Sequence, residues 1–149
     1  MSPFDMVRQQ LEATVPFATF IGVKIEAVEE GGGVASLQQV DDVSNHIGSM
    51  HAGAMFTLGE AASGAALAGA LLDRLMAVRP VAAKAEISYL AIAKGALIAT
   101  AKTSDPVATI KDRLDADGKV RFDIEVSIKD SAGTEVATMC VDWHVKSLG

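Results

Sequence analysis

The sequence predicts an α+β fold in which a curved antiparallel sheet of about six strands wraps one long central helix. Three observations lead there. Residues 120–145 hold two stretches of apolar–polar alternation around the turn Asp130-Ser131-Ala132-Gly133, the pattern of a hairpin with one buried face. From about Gly53 to Leu75 the chain is apolar nearly all round and rich in Ala and Gly, which reads as a helix enclosed on most sides. Most links between the extended stretches are hairpin-short, so the pairing must be antiparallel. A sheet curled round such a helix buries both, and the small helix residues let the two backbones approach closely.

The elements follow in order. Ser2-Pro3 supplies an N-cap and a Pro at the first helical position, opening a short helix through about Ala13. Phe20 to Glu30 alternates as a strand, with Ile21, Val23, Ile25 and Ala27 on one face and Gly22, Lys24 and Glu26 on the other. Gly31-Gly32-Gly33 turns the chain into a second strand, Val34 to about Val40; no strand–GxGxxG–helix context surrounds these glycines, so a hairpin turn is read rather than a phosphate cradle. After the central helix, Arg79-Pro80 marks a break. Ala83 to Ile92 and Ala96 to Lys102 are then two strands joined at Lys94-Gly95. Between Asp105-Pro106 and Asp117-Gly118 the pattern is weak, and an irregular connection is expected, with a helical turn left open. In the final hairpin Val120, Phe122, Ile124, Val126 and Ile128 alternate with Arg121, Asp123, Glu125, Ser127 and Lys129; Ala137, Met139, Val141, Trp143 and Val145 form the apolar face of the last strand.

A chain of 149 residues, half of them hydrophobic, is expected to form one domain over 1–149 with a core that needs no disulfide. The net charge of −6 leaves no basic stripe, which argues against nucleic acid as a partner. The lone Cys140 cannot pair internally and favours a reducing cytoplasm; it falls on the strand face of Thr138, Asp142 and His144, where an inert thiol is expected. No export leader is read at the N-terminus. The stretch Ala52–Leu72 is long enough to span a bilayer. It is mostly Ala and Gly and carries Glu60 near its middle, so a buried helix is expected and no membrane partner. His46, His51 and His144 lack metal-ligand spacing.

The chemistry concentrates in Asn45-His46-Ile47-Gly48-Ser49-Met50-His51-Ala52-Gly53 and in Glu60, the one charge inside the apolar helix. Burying a lone carboxylate is costly without a partner or a task. Asn45, the turn His51-Ala52-Gly53 and Glu60 resemble, at matching spacings, the signature of hotdog-fold thioesterases of the phenylacetate-pathway (PaaI-like) branch: an Asn, a His-Gly-Gly turn, then an Asp or Glu in the central helix. Ile87-Ser88-Tyr89-Leu90 resembles the strand that follows that helix. Ala52 stands for the middle Gly, and a Ser found in some relatives has only Ala82 or Ala83 at its place. Gly64 replaces a Thr, for which Ser63 or Thr57 would have to compensate.

The resemblance implies hydrolysis of an acyl-CoA or acyl-carrier thioester without metal or redox cofactor, coenzyme A entering only as part of the substrate. The N–H of Ala52 or Gly53, at the positive end of the helix, would hold the oxyanion. Glu60 would serve as general base or, less simply, as nucleophile. Asn45 would orient water or the carbonyl, or merely turn the chain; His51 would hold the turn or touch the substrate. Met50 and Phe56 belong to the core or to an acyl pocket. Lys84, Lys94, Lys102, Lys111 and Arg113 are either solvated or face coenzyme A phosphates. From Ala52 to Glu60 is eight residues, about 12 Å at roughly 1.5 Å per residue, too far for one acyl carbon to touch both. Joint action therefore requires a homodimer with the site at its interface, and pairing of dimers into tetramers stays open. The competing expectation is a hotdog protein that binds acyl ligands without turnover. A hotdog dehydratase is disfavoured, since its His-to-acid spacing and Pro-Gly context are absent.

Overall fold

The computed structural model describes residues 1–149. Helix α1 spans Pro3–Thr14 and α2 Pro16–Ile21. Strands β1 (Lys24–Glu29) and β2 (Gly32–Leu37) form the first hairpin. The central helix α3 is Ala52–Ala70, followed by 3-10 turns over Leu72–Ala77. Then come β3 (Val78–Tyr89), β4 (Leu97–Thr103), α4 (Val107–Asp117), β5 (Lys119–Asp130) and β6 (Glu135–Ser147). The six strands make one antiparallel sheet in the order β1-β2-β4-β5-β6-β3. It curves round α3, which packs mainly on β2, β4, β1 and β5.

The predicted architecture is therefore the observed one. All five inward residues expected of β5, and all five of β6, are buried. Ser2 caps α1 through Asp5 N–H at 3.1 Å. No helix is long and apolar enough to cross a membrane.

Small residues set how closely helix and sheet meet. A Cβ on Gly33 of β2 would lie 2.6 Å from the Ala65 Cβ and 2.7 Å from the Ala62 carbonyl oxygen. On Gly69 a Cβ would overlap the Glu29 carbonyl at the end of β1. Leu58, Ala62, Ala65 and Ala66 are wholly buried between these contacts.

Six features differ from the sequence reading, each for a physical reason. Phe20 and Ile21 close helix α2, with Gly22 as a left-handed cap at φ 97°. In β1 a bulge between Ile25 and Ala27 shifts the alternation, so that Val28 turns inward and Ala27 outward. Helix α3 ends at Ala70 rather than Leu75, and the 3-10 turns beyond it are pinned by Arg74, which grips Asp115 of α4 at 2.6 Å. Arg79-Pro80 lies inside β3 instead of breaking it; Pro80 is tolerated because β3 is an edge strand. β3 and β4 are not neighbours, since the link through Gly95 carries the chain from the edge at β3 to the middle of the sheet. The segment after Pro106 is a full helix, α4, held by Ile110 and Leu114.

The close approach at Gly69 predicts that Gly69→Ala destabilises by about 2–3 kcal/mol. Gly64, with no atom near its would-be Cβ, should instead gain roughly 0.5–1 kcal/mol as Gly64→Ala. Urea denaturation of both variants checks this; equal stabilities would contradict the packing.

Candidate active site

The segment before α3 is a tight, self-bonded turn organised by Asn45. Its Oδ1 accepts from Ile47 N–H (3.1 Å) and Ser49 N–H (3.0 Å), and its Nδ2 donates to Ser49 Oγ (2.8 Å) and Met50 O (3.3 Å). Both ends of the amide are thus engaged within the turn, a common use of Asn. Met50 is buried and donates its N–H to Ala93 O at 2.7 Å, tying the turn to the chain after β3.

His51 is the N-cap of α3. Its backbone is extended (φ −62°, ψ 137°), and its Nδ1 accepts the Gly53 N–H at 2.8 Å. Of the two amides expected to meet an oxyanion, Gly53 is therefore occupied by its own cap. Ala52 N–H, at the first helical position, has no acceptor within the chain and is exposed at the positive end of the helix. Tyr89 at the end of β3 donates its hydroxyl to Ala52 O at 2.9 Å. That contact fixes the helix start against the strand. A shallow apolar cavity of about 380 Å³ opens here, lined by Asn45, Met50, Ala52, Met55, Tyr89 and Leu90 among others.

Glu60 faces a different cavity. It is half-buried, and its carboxylate makes neither hydrogen bond nor ion pair within the chain. Around it lie Leu11, Ala18, Val23, Leu67, Pro80 and Trp143, enclosing about 210 Å³ of mostly apolar space together with Gly64. Burial pushes the Glu60 carboxyl above its ordinary pKa. This is the one acid of the central helix, set where its charge is least welcome.

The other expected residues fall outside both cavities. Ser63 is fully buried; its Oγ donates to Glu60 O at 2.7 Å and accepts from Trp143 Nε1 at 3.1 Å. It locks α3 to β6 rather than facing a substrate. Phe56 packs against the core and lines neither cavity. Thr57 spends its hydroxyl on Gly53 O at 3.0 Å. Cys140 lies on the outer sheet face, where burial and the acids Asp123, Glu125, Glu86 and Asp142 push its thiol pKa up. No three His, Cys, Asp or Glu side chains converge as metal ligands.

Sequence reasoning missed Tyr89 as a contact of the helix start, and Pro80 and Trp143 as walls round Glu60. The run Leu90-Ala91-Ile92-Ala93, apolar without alternation, was the available signal that the chain after β3 lines a cavity.

Two outcomes follow from this geometry. His51→Ala should cost about 1 kcal/mol through loss of the cap, and His51→Asp should recover most of it, as read by thermal unfolding. For Glu60 the folded pKa is raised, so its contribution to stability is full below about pH 4.5 and is lost as pH rises through the folded value. Glu60→Gln should accordingly be the more stable protein at pH 7 and lose that advantage toward pH 4. Unfolding curves that stay parallel across this range would contradict it.

Residues 5–145 match the family described as domain of unknown function DUF4442. No curated protein matches the sequence. Among solved structures, the Pseudomonas aeruginosa protein of unknown function PA5026, described as a probable thioesterase, is 25% identical at TM-score 0.84, with 96% of this chain and 95% of that chain covered. The E. coli PaaI protein from the phenylacetic acid degradation operon is 20% identical at TM-score 0.73, covering 95% and 90%. A hypothetical thioesterase of Streptococcus pneumoniae, solved with coenzyme A, is 20% identical at TM-score 0.71, covering 93% and 96%. With nearly its whole length matched and this architecture shared, the chain belongs to the DUF4442 family and is a member of the hotdog thioesterase superfamily.

Proposed function

We propose that this protein is an acyl-CoA thioesterase of the PaaI-like kind, working as a homodimer with two sites at its interface. The observation that carries this reading is the unpaired Glu60 in an apolar cavity, a fixed helical distance from the free Ala52 N–H. Strand β3 supports the missing half. One of its edges is unpaired over 12 residues, and Val81 and Tyr89 are exposed along it. The Pro80 end of β3 borders the cavity of Glu60, whereas its Tyr89 end borders the helix start. A second copy pairing antiparallel on this edge brings the Pro80 end of one chain to the Tyr89 end of the other. Each Glu60 then approaches the helix start of its partner.

In that cleft the acyl group lies in the apolar space, with its carbonyl oxygen toward Ala52 N–H. Glu60 takes a proton from water, and the resulting hydroxide adds to the carbonyl carbon. The negative charge that develops on oxygen meets the amide and the positive end of α3. The C–S bond breaks, the electron pair leaves with sulfur, and the thiolate collects the proton. Free acid and thiol are the products. A thiolate leaves readily, so the course needs no metal or redox group. Asn45 and His51 act on this reading by shaping the turn that presents Ala52, and Met50 and Met55 border the acyl site.

Thiol release from a panel of acyl-CoAs tests the proposal. Wild type should turn over at least one of them, and Glu60→Gln should lose about a hundredfold or more in kcat. The raised pKa of Glu60 predicts an acid limb in the kcat/KM profile above the ordinary glutamate range, absent in the variant. Equal rates in the two proteins would remove Glu60 from the chemistry. Tight acyl-CoA binding without turnover would favour the binding-protein reading, which gains support from the engaged Asn45 amide and Gly53 N–H.

A further inference from the structure

The outer face of the sheet carries a basic groove that the chemistry above does not use. It encloses about 530 Å³ and is lined by Arg79, Arg113, Lys119, Arg121, His144 and Lys146, with Asp117 as its only acid. Five of the 13 Lys and Arg side chains of a chain with net charge −6 meet there.

The register makes the concentration sharper. Arg79 of β3 stands directly opposite Lys146 of β6, and Lys146 directly opposite Lys119 of β5. Three cations therefore lie abreast on adjacent strands, with opposing Cβ atoms roughly 5 Å apart. Like charges so placed repel and lower stability. None of the three reaches a carboxylate within ion-pair distance. Arg113 and Arg121, by contrast, touch Asp105 and Asp142. An uncompensated row of this kind is what an anionic ligand would relieve.

The groove backs onto the cavity of Glu60. Arg79 precedes Pro80 and His144 follows Trp143; in each pair one neighbour lines the groove and the other the cavity. Strand alternation places them on opposite faces of the same two strands. A flexible arm passing the Val78 end of β3 would join the two spaces. Arginine forks in a concave site of this size suit phosphate oxygens, which they grip in pairs.

We propose that the groove of Arg79, Lys119 and Lys146, flanked by Arg113 and Arg121, binds the phosphate groups of a 3′-phospho-ADP moiety. Resting on the thioesterase reading, this assigns coenzyme A rather than a carrier protein as the acyl carrier. The groove recognises the nucleotide end, and the cleft processes the thioester end.

The test compares wild type with the double variant Arg79→Gln, Lys146→Gln in the full chain. Titration calorimetry with adenosine 3′,5′-bisphosphate should give binding to wild type and at least about tenfold weaker binding to the variant. The variant should raise KM for an acyl-CoA by about tenfold with kcat unchanged, and leave the matching acyl-pantetheine unaffected. Its melting temperature should equal or exceed that of wild type, because repulsion is removed; Lys119→Gln provides a second, single-site variant with the same expectations. Equal nucleotide affinity in wild type and variants, or a wild type that does not bind it, overturns the proposal. So does a variant whose only defect is toward an acyl-loaded carrier protein. Should no thioester be hydrolysed by either protein, the thioesterase reading falls, and the calorimetric comparison alone still decides the groove.

Discussion

Helix rise is the constraint on which the functional account turns. Ala52 and Glu60 share one rigid element, and eight residues of α-helix hold them about 12 Å apart whatever the sheet does. No rotamer of a glutamate spans that gap. The start of α3 and its middle open into separate cavities, one bounded by Tyr89 and the other by Pro80, which are opposite ends of the same edge strand. On the proposed reading a single chain carries two half-sites, each completed by a second copy. In the proposed dimer, antiparallel pairing along the free edge of β3 would superpose one kind of half-site on the other.

The rigidity of α3 itself comes from how tightly the sheet holds it. Gly33, Gly59 and Gly69 leave no room for a side chain against Ala65, Met139 and Glu29, and the helix is capped at both ends by its own groups. Ser63 and Trp143 add a polar clamp in an otherwise apolar interface. These contacts hold in place a helix of mostly Ala and Gly, weak in intrinsic preference where glycine recurs. They also isolate Glu60: every neighbour that fixes the helix in place is apolar or already bonded, so the carboxylate has no partner within the chain.

Much of this was legible in the sequence where one physical signal dominated. β5 and β6 each press one face on the core and present the other to solvent, and alternation over ten residues reports that directly. Glu60 stood out because a charge on an apolar helix has few explanations. Reading failed where two signals competed. The bulge in β1 broke the period at Ile25, and an edge strand excused a proline that elsewhere would end an element. Helix α4 shows too few apolar positions to announce itself, with only Ile110 and Leu114 buried. At the site, spacing indicated that Asn45, His51 and Ala52 belong together but not how. Which amide stays free depends on the rotamer of His51, and the sequence holds no trace of the Tyr89 hydroxyl meeting Ala52 O.

Subunit complementation tests the shared cleft most directly. Ala52→Pro deletes the exposed, unbonded amide at a position where proline is accommodated, since it is the first of the helix and His51 before it is already extended. This variant and Glu60→Gln should each be inactive alone. Unfolded and refolded together, they should recover about a quarter of wild-type turnover, because half the dimers are mixed and each mixed dimer holds one intact site. Recovery at that level would establish that the amide and the acid come from different chains; activity no higher than that of the separate variants would contradict the account.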